Sequence, residues 1–510
     1  MRFGFRWSDG ALGTIAVGIF LLSLLNSCSP VSAAESFDDW VKDRQERFEN
    51  YKTEREQAFQ QFLKERWKQM RVFAGRRGDT VPKPDVFPTA PEVDTMPSRQ
   101  LKTGGVAVPK SESEKRGEPE KKSTASDLMP PDKSSSDKSP VQEDKADFSI
   151  DFFGQSITVP QAKPLEKLRL ETVSPAAITN FWSGFSKQPT NPLIDRLQSI
   201  KEERNLDGWG YLKLVETTTS TLYEDDLTAR AVTWGLLLKS GYDVRLGYEG
   251  QDLFLLVRTD STLYDIPYFE LDGNRFFVYT NREESVQPES LRTYKKNFPG
   301  ELSPLDIKLQ SIPDLPLERH DVSLQFQYAK QTYQFDVTIN EPLVQYLKTI
   351  PQLSLEKYFR AIRGMNTSRD LIRELEKHLS GLSPGEQLEF LLRFVQTAFD
   401  YKTDQDQFGS ENFLLPVETL YYEYSDCEDR ALLFTYLVTR LLDRRVVGLD
   451  YPGHVATAVR SQKPLNGFYF LFENAPYLVS DPTYVRARPG MIMPEYKTTN
   501  PKVIPTWDYR

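Results

Sequence analysis

Ser425-Asp426-Cys427-Glu428-Asp429-Arg430-Ala431 opens an apolar helical stretch and holds one of only two cysteines in 510 residues. The other, Cys28, ends an export-type leader, which leaves Cys427 without a partner for a metal pair or a redox pair. A lone thiol at a helix N-terminus can do chemistry, because the free N–H groups and the dipole of the first turn favour the thiolate. Asp426 is placed to cap the helix, and Asp429 to reach back to its first turn. The three acids around the sulfur oppose ionisation unless an imidazolium is close, so the cysteine needs a histidine.

The chain offers three histidines. His378 lies in the charged run Arg373-Glu374-Leu375-Glu376-Lys377 and reads as solvated. His320 follows a Pro-rich loop and precedes a strand. His454 stands at the mouth of the apolar strand Val455-Ala456-Thr457-Ala458-Val459, just after the turn Pro452-Gly453. Further on, in the stretch Pro476–Tyr484, Asp481 ends the last strand beside Pro482, which cannot continue it. Nucleophile, base and acid thus follow in order, an arrangement in which imidazole takes the thiol proton and the carboxylate fixes the tautomer. Three scattered histidines and one usable thiol make no metal-ligand set, and no cofactor is called for.

A cysteine at a helix start, a Gly-His-Val strand and an Asp-Pro strand end together resemble the transglutaminase-like (papain-like) cysteine peptidase superfamily. The resemblance spans the block from about Phe390 to Tyr484, roughly a fifth of the chain. It implies an α+β fold with the cysteine helix packed on an antiparallel sheet. It also implies Cys427 as nucleophile, His454 as general base and Asp481 as orienting acid, attacking a peptide, isopeptide or side-chain amide carbonyl through a thioester. For the oxyanion, the backbone N–H of Cys427 or Glu428 offers one donor, and Gln407 or Tyr424 is a candidate for the other.

These elements need an address and a scaffold. Arg2 and Arg6 precede an apolar run, Ala11–Leu25, and Leu25-Asn26-Ser27-Cys28 resembles a bacterial lipobox, with Cys28 as the lipidated residue after a 1–28 signal peptide. Asn26 departs from the usual small residue, and Val31-Ser32-Ala33 offers a rival cleavage site, while a retained anchor is the third reading. Each of the three exports the chain, and the lipobox places it on a membrane of the cell envelope. Residues 35–74 read as one long amphipathic helix of about 55 Å. Its aromatic pairs, Phe37/Trp40, Phe48/Tyr51, Phe59/Phe62 and then Met70/Phe73, recur every eleven residues. That stripe predicts packing on the chain's own body, coiled-coil self-association or a separate partner. Residues 75–146 collapse into Pro, Ser, Lys, Glu and Asp and read as a disordered tether.

Residues 147–300 echo the cysteine block about 200 positions earlier. Asp226-Leu227-Thr228-Ala229-Arg230-Ala231 parallels the helix start, Tyr248-Glu249-Gly250-Gln251 parallels Tyr451-Pro452-Gly453-His454, and Tyr268-Phe269 parallels Tyr469-Phe470. In that register Leu227, Gln251 and Thr280 stand where Cys427, His454 and Asp481 stand, which predicts a degenerate copy of the same unit. A β-hairpin segment at 301–345 follows, because Asp321–Tyr328 and Thr332–Ile339 alternate with period two. The cysteine domain then occupies 346–510. A net charge of −9 argues against nucleic acid as partner. The expected activity is hydrolysis of an amide in a peptide or protein of the envelope, and the rival is a non-catalytic scaffold or binding module on the same fold.

Overall fold

The computed structural model describes residues 37–65, 67–76, 88–90, 106–107, 147–279, 288–295, 298–365, 368–461 and 467–507. The leader and Cys28 lie outside them, and among the described residues no helix is long and apolar enough to cross a membrane. The chain divides into two compact units, residues 1–59 and 60–510.

Helix α1 (Phe37–Glu65) is 29 residues long, about 43 Å at 1.5 Å per residue, and on it Phe48 and Tyr51 are exposed. It ends eight residues short of Phe73. The chain turns instead into strand β1 (Trp67–Arg71), where Trp67 packs its ring 5.2 Å from Tyr248 and 5.4 Å from Tyr294. Sheet pairing with distant residues outweighs local helical preference here, as tertiary contacts routinely do. The 75–146 tether is corrected in three places: Arg76 bridges Tyr264, Thr89 bridges Val485, and β2 (Val106–Ala107) pairs with Phe470 and Leu471.

A hairpin, β3 (Asp147–Phe152) and β4 (Gln155–Pro160), precedes four helices: α2 (Pro175–Phe185), α3 (Asn191–Glu203), α4 (Gly208–Leu222) and α5 (Asp226–Lys239). Strands β5 (Val244–Glu249), β6 (Asp252–Arg258), β7 (Tyr268–Leu271), β8 (Asn274–Tyr279) and β9 (Ser290–Tyr294) follow. Next come β10 (Arg319–Tyr328) and β11 (Gln331–Asn340), turning on Ala329 and Lys330, both with positive φ. Their apolar face lies on later helices, with the Phe326 ring 5.1 Å from Phe390 and 5.3 Å from Phe394.

The remaining helices are α6 (Glu341–Leu347), α7 (Leu355–Ala361), α8 (Arg369–Leu379), α9 (Pro384–Thr397), α10 (Asp404–Gln407), α11 (Pro416–Tyr421) and α12 (Cys427–Leu442). Short strands β12 (Asp400–Tyr401) and β13 (Tyr424–Ser425) pair ahead of α12. The last strands are β14 (Val446–Tyr451), β15 (His454–Arg460), β16 (Tyr469–Phe472), β17 (Ala475–Ser480) and β18 (Lys502–Pro505). Gly448 on β14 lets the Phe359 ring of α7 seat against the strand, because a Cβ there would lie 2.6 Å from that ring.

The class is α+β, with two six-stranded sheets of the same plan. One runs β1-β9-β5-β6-β8-β7 and the other β18-β14-β15-β17-β16-β2. In each, one helix (α5, α12) feeds a hairpin (β5–β6, β14–β15), the fourth strand joins the hairpin's second arm, and a late strand (β9, β18) flanks its first. Phe73 also pairs back to Tyr268 of β7, so the first sheet nearly closes.

Hairpin register corrects the residue equivalences by one position. Glu249 pairs with Asp252 and Tyr451 with His454, so Asp252 rather than Gln251 stands where His454 stands. The helices begin at Asp226 and Cys427 behind the caps Asp225 and Asp426, which sets Asp226 rather than Leu227 against Cys427. Glycine misled the sequence match, since Gly250 is the first residue of its two-residue turn and Gly453 the second of its own. Thr280 lies outside the described residues.

One buried acid in this frame sets a pH dependence. Burial pushes Glu418 of α11 up to about 8 from an ordinary 4.5, partly offset by the Leu415 N–H it accepts and by Lys348. The folded chain then holds a proton that the unfolded chain releases. Stability falls between about pH 4.5 and about 8, by up to ~1.4 kcal/mol per pH unit, and levels off above. Glu418→Gln keeps the acceptor and loses the titration, so thermal midpoints measured from pH 5 to 9 are expected to fall less steeply than in the parent.

Candidate active site

Cys427 is the first residue of α12 and fully buried. The helix start is held by its own acids. Asp429 Oδ2 accepts from the Asp426 N–H at 3.3 Å and its Oδ1 from Leu414 N–H at 2.8 Å. Asp426 Oδ2 accepts from Asp404 N–H at 3.3 Å, and Asp404 Oδ2 from Asn412 N–H at 2.7 Å. The acids of the cysteine motif therefore satisfy buried backbone donors of the 404–414 loop, which would otherwise be costly to bury. Arg430 completes the clamp, donating to Ser425 Oγ and to the carbonyls of Gln396, Phe399 and Asp400. Burial lowers its pKa to about 10, which leaves it charged at neutral pH.

His454 opens β15 and Asp481 follows β17, and antiparallel pairing of Thr457 with Ser480 brings the two together. His454 Nε2 lies 2.8 Å from Asp481 Oδ2, with the imidazole 2 % exposed. Asp481 Oδ1 accepts from the N–H groups of Thr483 at 2.9 Å and Tyr484 at 3.1 Å, which fixes the carboxylate. Its carbonyl accepts from Gln396 Nε2 at 3.0 Å, and the same amide nitrogen holds the carbonyls of Tyr484 and Ala487. A carboxylate can only accept, so the imidazole proton sits on Nε2 and Nδ1 carries the lone pair. Nδ1 is buried and has no hydrogen-bond partner among the described residues.

Cys427 and His454 line one cleft of about 210 Å³, together with Tyr264, Gln352, Glu411 and Phe413. Tyr264 comes from the segment between β6 and β7 of the first sheet, and its N–H donates to the Gln352 carbonyl at 2.9 Å. The thiol donates to Glu428 Oε2 at 3.1 Å. Carboxylate oxygens of Asp404, Glu411 and Glu428 lie within 4.8 Å of one another, a hard-oxygen set of the kind divalent cations accept.

Neither Gln407 nor Tyr424 lines the cleft: Gln407 ends α10, and Tyr424 lies in β13 with Lys402 5.2 Å from its ring centre. Two residues that sequence reasoning missed stand closer to the chemistry. Gln352 lines the cleft; its Oε1 accepts from Phe413 N–H at 3.2 Å, which fixes the amide, and its Nε2 is buried without a partner among the described residues. Tyr496 stacks on His454 at 5.3 Å between ring centres, 18° from parallel. Burial, with the charges of Glu495, Cys427 and Asp481 nearby, pushes Tyr496 up to about 12, so it remains a neutral phenol. Neither carries a motif; only Gln396, a polar residue on the apolar face of α9, left a trace in the sequence. His320 and His378 stand apart from the cleft, beside Tyr421 and Tyr333. No protein-family model matches the chain, and no curated protein matches it.

Proposed function

We propose that the chain is an exported, lipid-anchored cysteine hydrolase of transglutaminase-like fold, acting on peptide, isopeptide or side-chain amide bonds through Cys427, His454 and Asp481. The observation that carries this reading is the buried His454–Asp481 pair, whose unpartnered Nδ1 shares a cleft with a thiol at a helix N-terminus. Nδ1 takes the thiol proton and the thiolate attacks the carbonyl. The tetrahedral oxyanion meets first-turn N–H groups and Gln352 Nε2. Collapse expels the amine, which takes its proton from His454, and water attacking the thioester returns the free enzyme. The segment 147–300, which carries most of the first sheet, is read as a degenerate copy that supplies Tyr264 to the cleft wall.

The rival reading is a binding module on the same fold. It is favoured by the thiol's hydrogen bond to Glu428, which holds the proton away from the imidazole. Iodoacetamide alkylation of Cys427 in the full chain, followed from pH 5 to 9, separates the two. The enzyme reading expects alkylation well below the ordinary thiol value of about 8.5, lost in His454→Ala. A slow thiol indifferent to His454 would leave the binding module.

A further inference from the structure

We propose that the cleft beside Cys427 takes a basic side chain, lysine or arginine, next to the scissile amide; this rests on the thiol site proposed above and names its substrate class. The charged residues lining the cleft are Glu356, Glu411, Glu428 and Asp450 against a single cation, Lys502, which is itself paired with Glu356. A substrate carboxylate entering there meets like charge, whereas an ammonium or guanidinium is drawn in. The walls fit the rest of such a side chain. Leu353 and Leu355 in its lining give aliphatic surface for a methylene stem, and Tyr264 and Phe413 add aromatic residues of the kind that attract a cationic head.

An unpartnered polar atom points the same way, independently of the acids. Tyr451 lines the cleft at 2 % exposure, and its Oη is buried without a hydrogen-bond partner among the described residues. It can accept, whereas the lone pair of His454 Nδ1 is reserved for the thiol proton. A lysine or arginine head brings three to five donors and no acceptor, which is the complement Tyr451 Oη lacks. The proposal therefore joins charge, shape and hydrogen-bonding sense in one ligand class.

Charged thiol reagents test it without a known substrate. In chelator-containing buffer at low salt, Cys427 of the full chain is modified by cationic trimethylammonium-ethyl methanethiosulfonate, by its anionic sulfonatoethyl analogue and by the neutral methyl reagent. Each rate is divided by that reagent's rate with a free thiol in solution. The cation is expected to outpace the anion by about tenfold or more. Glu411→Gln and Asp450→Asn are each expected to compress that ratio several-fold; a change in thiolate fraction alters the cationic, anionic and neutral rates alike and cancels from the ratio. A ratio near one or inverted, with normal neutral reaction, overturns the basic-substrate inference and leaves the thiol site standing. Failure of all three reagents, with the thiol recovered on denaturation, overturns the thiol site and this inference with it.

Discussion

Asp481→Asn is expected to lower amide hydrolysis by 10²- to 10⁴-fold, on the scale seen when the orienting acid of a triad is replaced. The reason is local. Asp481 Oδ1 is already held by the N–H groups of Thr483 and Tyr484, so the asparagine oxygen must stay there and its NH₂ must face His454 Nε2. An NH₂ group demands a lone pair on Nε2, which moves the imidazole proton to Nδ1 and removes the base. Thiol alkylation at pH 6 should fall with it, toward the rate of His454→Ala. The fold should hold, because both backbone bonds survive, and a thermal midpoint within a few degrees of the parent is the control. Full alkylation at pH 6 in Asp481→Asn would show that the carboxylate does not set the tautomer.

Arg430→Met is expected to cost about 3–5 kcal/mol of stability, the range for removing one partner from a buried charged network. The loss goes beyond the cation: the Gln396, Phe399 and Asp400 carbonyls and Ser425 Oγ all lose a donor in a dry environment. Urea unfolding should show a lower midpoint with an unchanged slope. Arg430→Lys should recover little, since an ammonium cannot reach four acceptors arranged for a planar fork. A midpoint unmoved in Arg430→Met would mean that the helix start is held by its acids alone.

The triad candidates were legible because each sits on a local signal: an acid-capped helix start, a Pro-Gly turn and an Asp-Pro strand end. The β10–β11 hairpin was legible for the same reason, since alternation over ten-residue arms leaves little room for another element. What failed to show depended on partners far along the chain. Trp67–Arg71 continues the helical stripe by composition and becomes a strand only because Tyr248 and Tyr294 receive Trp67. Gln352 and Tyr496 reach the site from segments 75 residues before and 69 after the thiol, and no spacing announces them. A helix cap, which the sequence shows, is half the role of Asp426 and Asp429; the loop donors they satisfy are visible only once the chain has folded back.

Strand β18 and Tyr496 give the sheet and its histidine their last supports, and both follow the triad in sequence. A ribosome delivers the thiol, the imidazole and the carboxylate before it delivers either. A nascent chain that has emerged only as far as Asp481 carries all three reactive groups with β14 unflanked and His454 uncovered on one face. The cover over the imidazole and the flank of its sheet are thus the last parts of the site to be made, and the three side chains meet in their folded surroundings only after residues 496–505 have joined them.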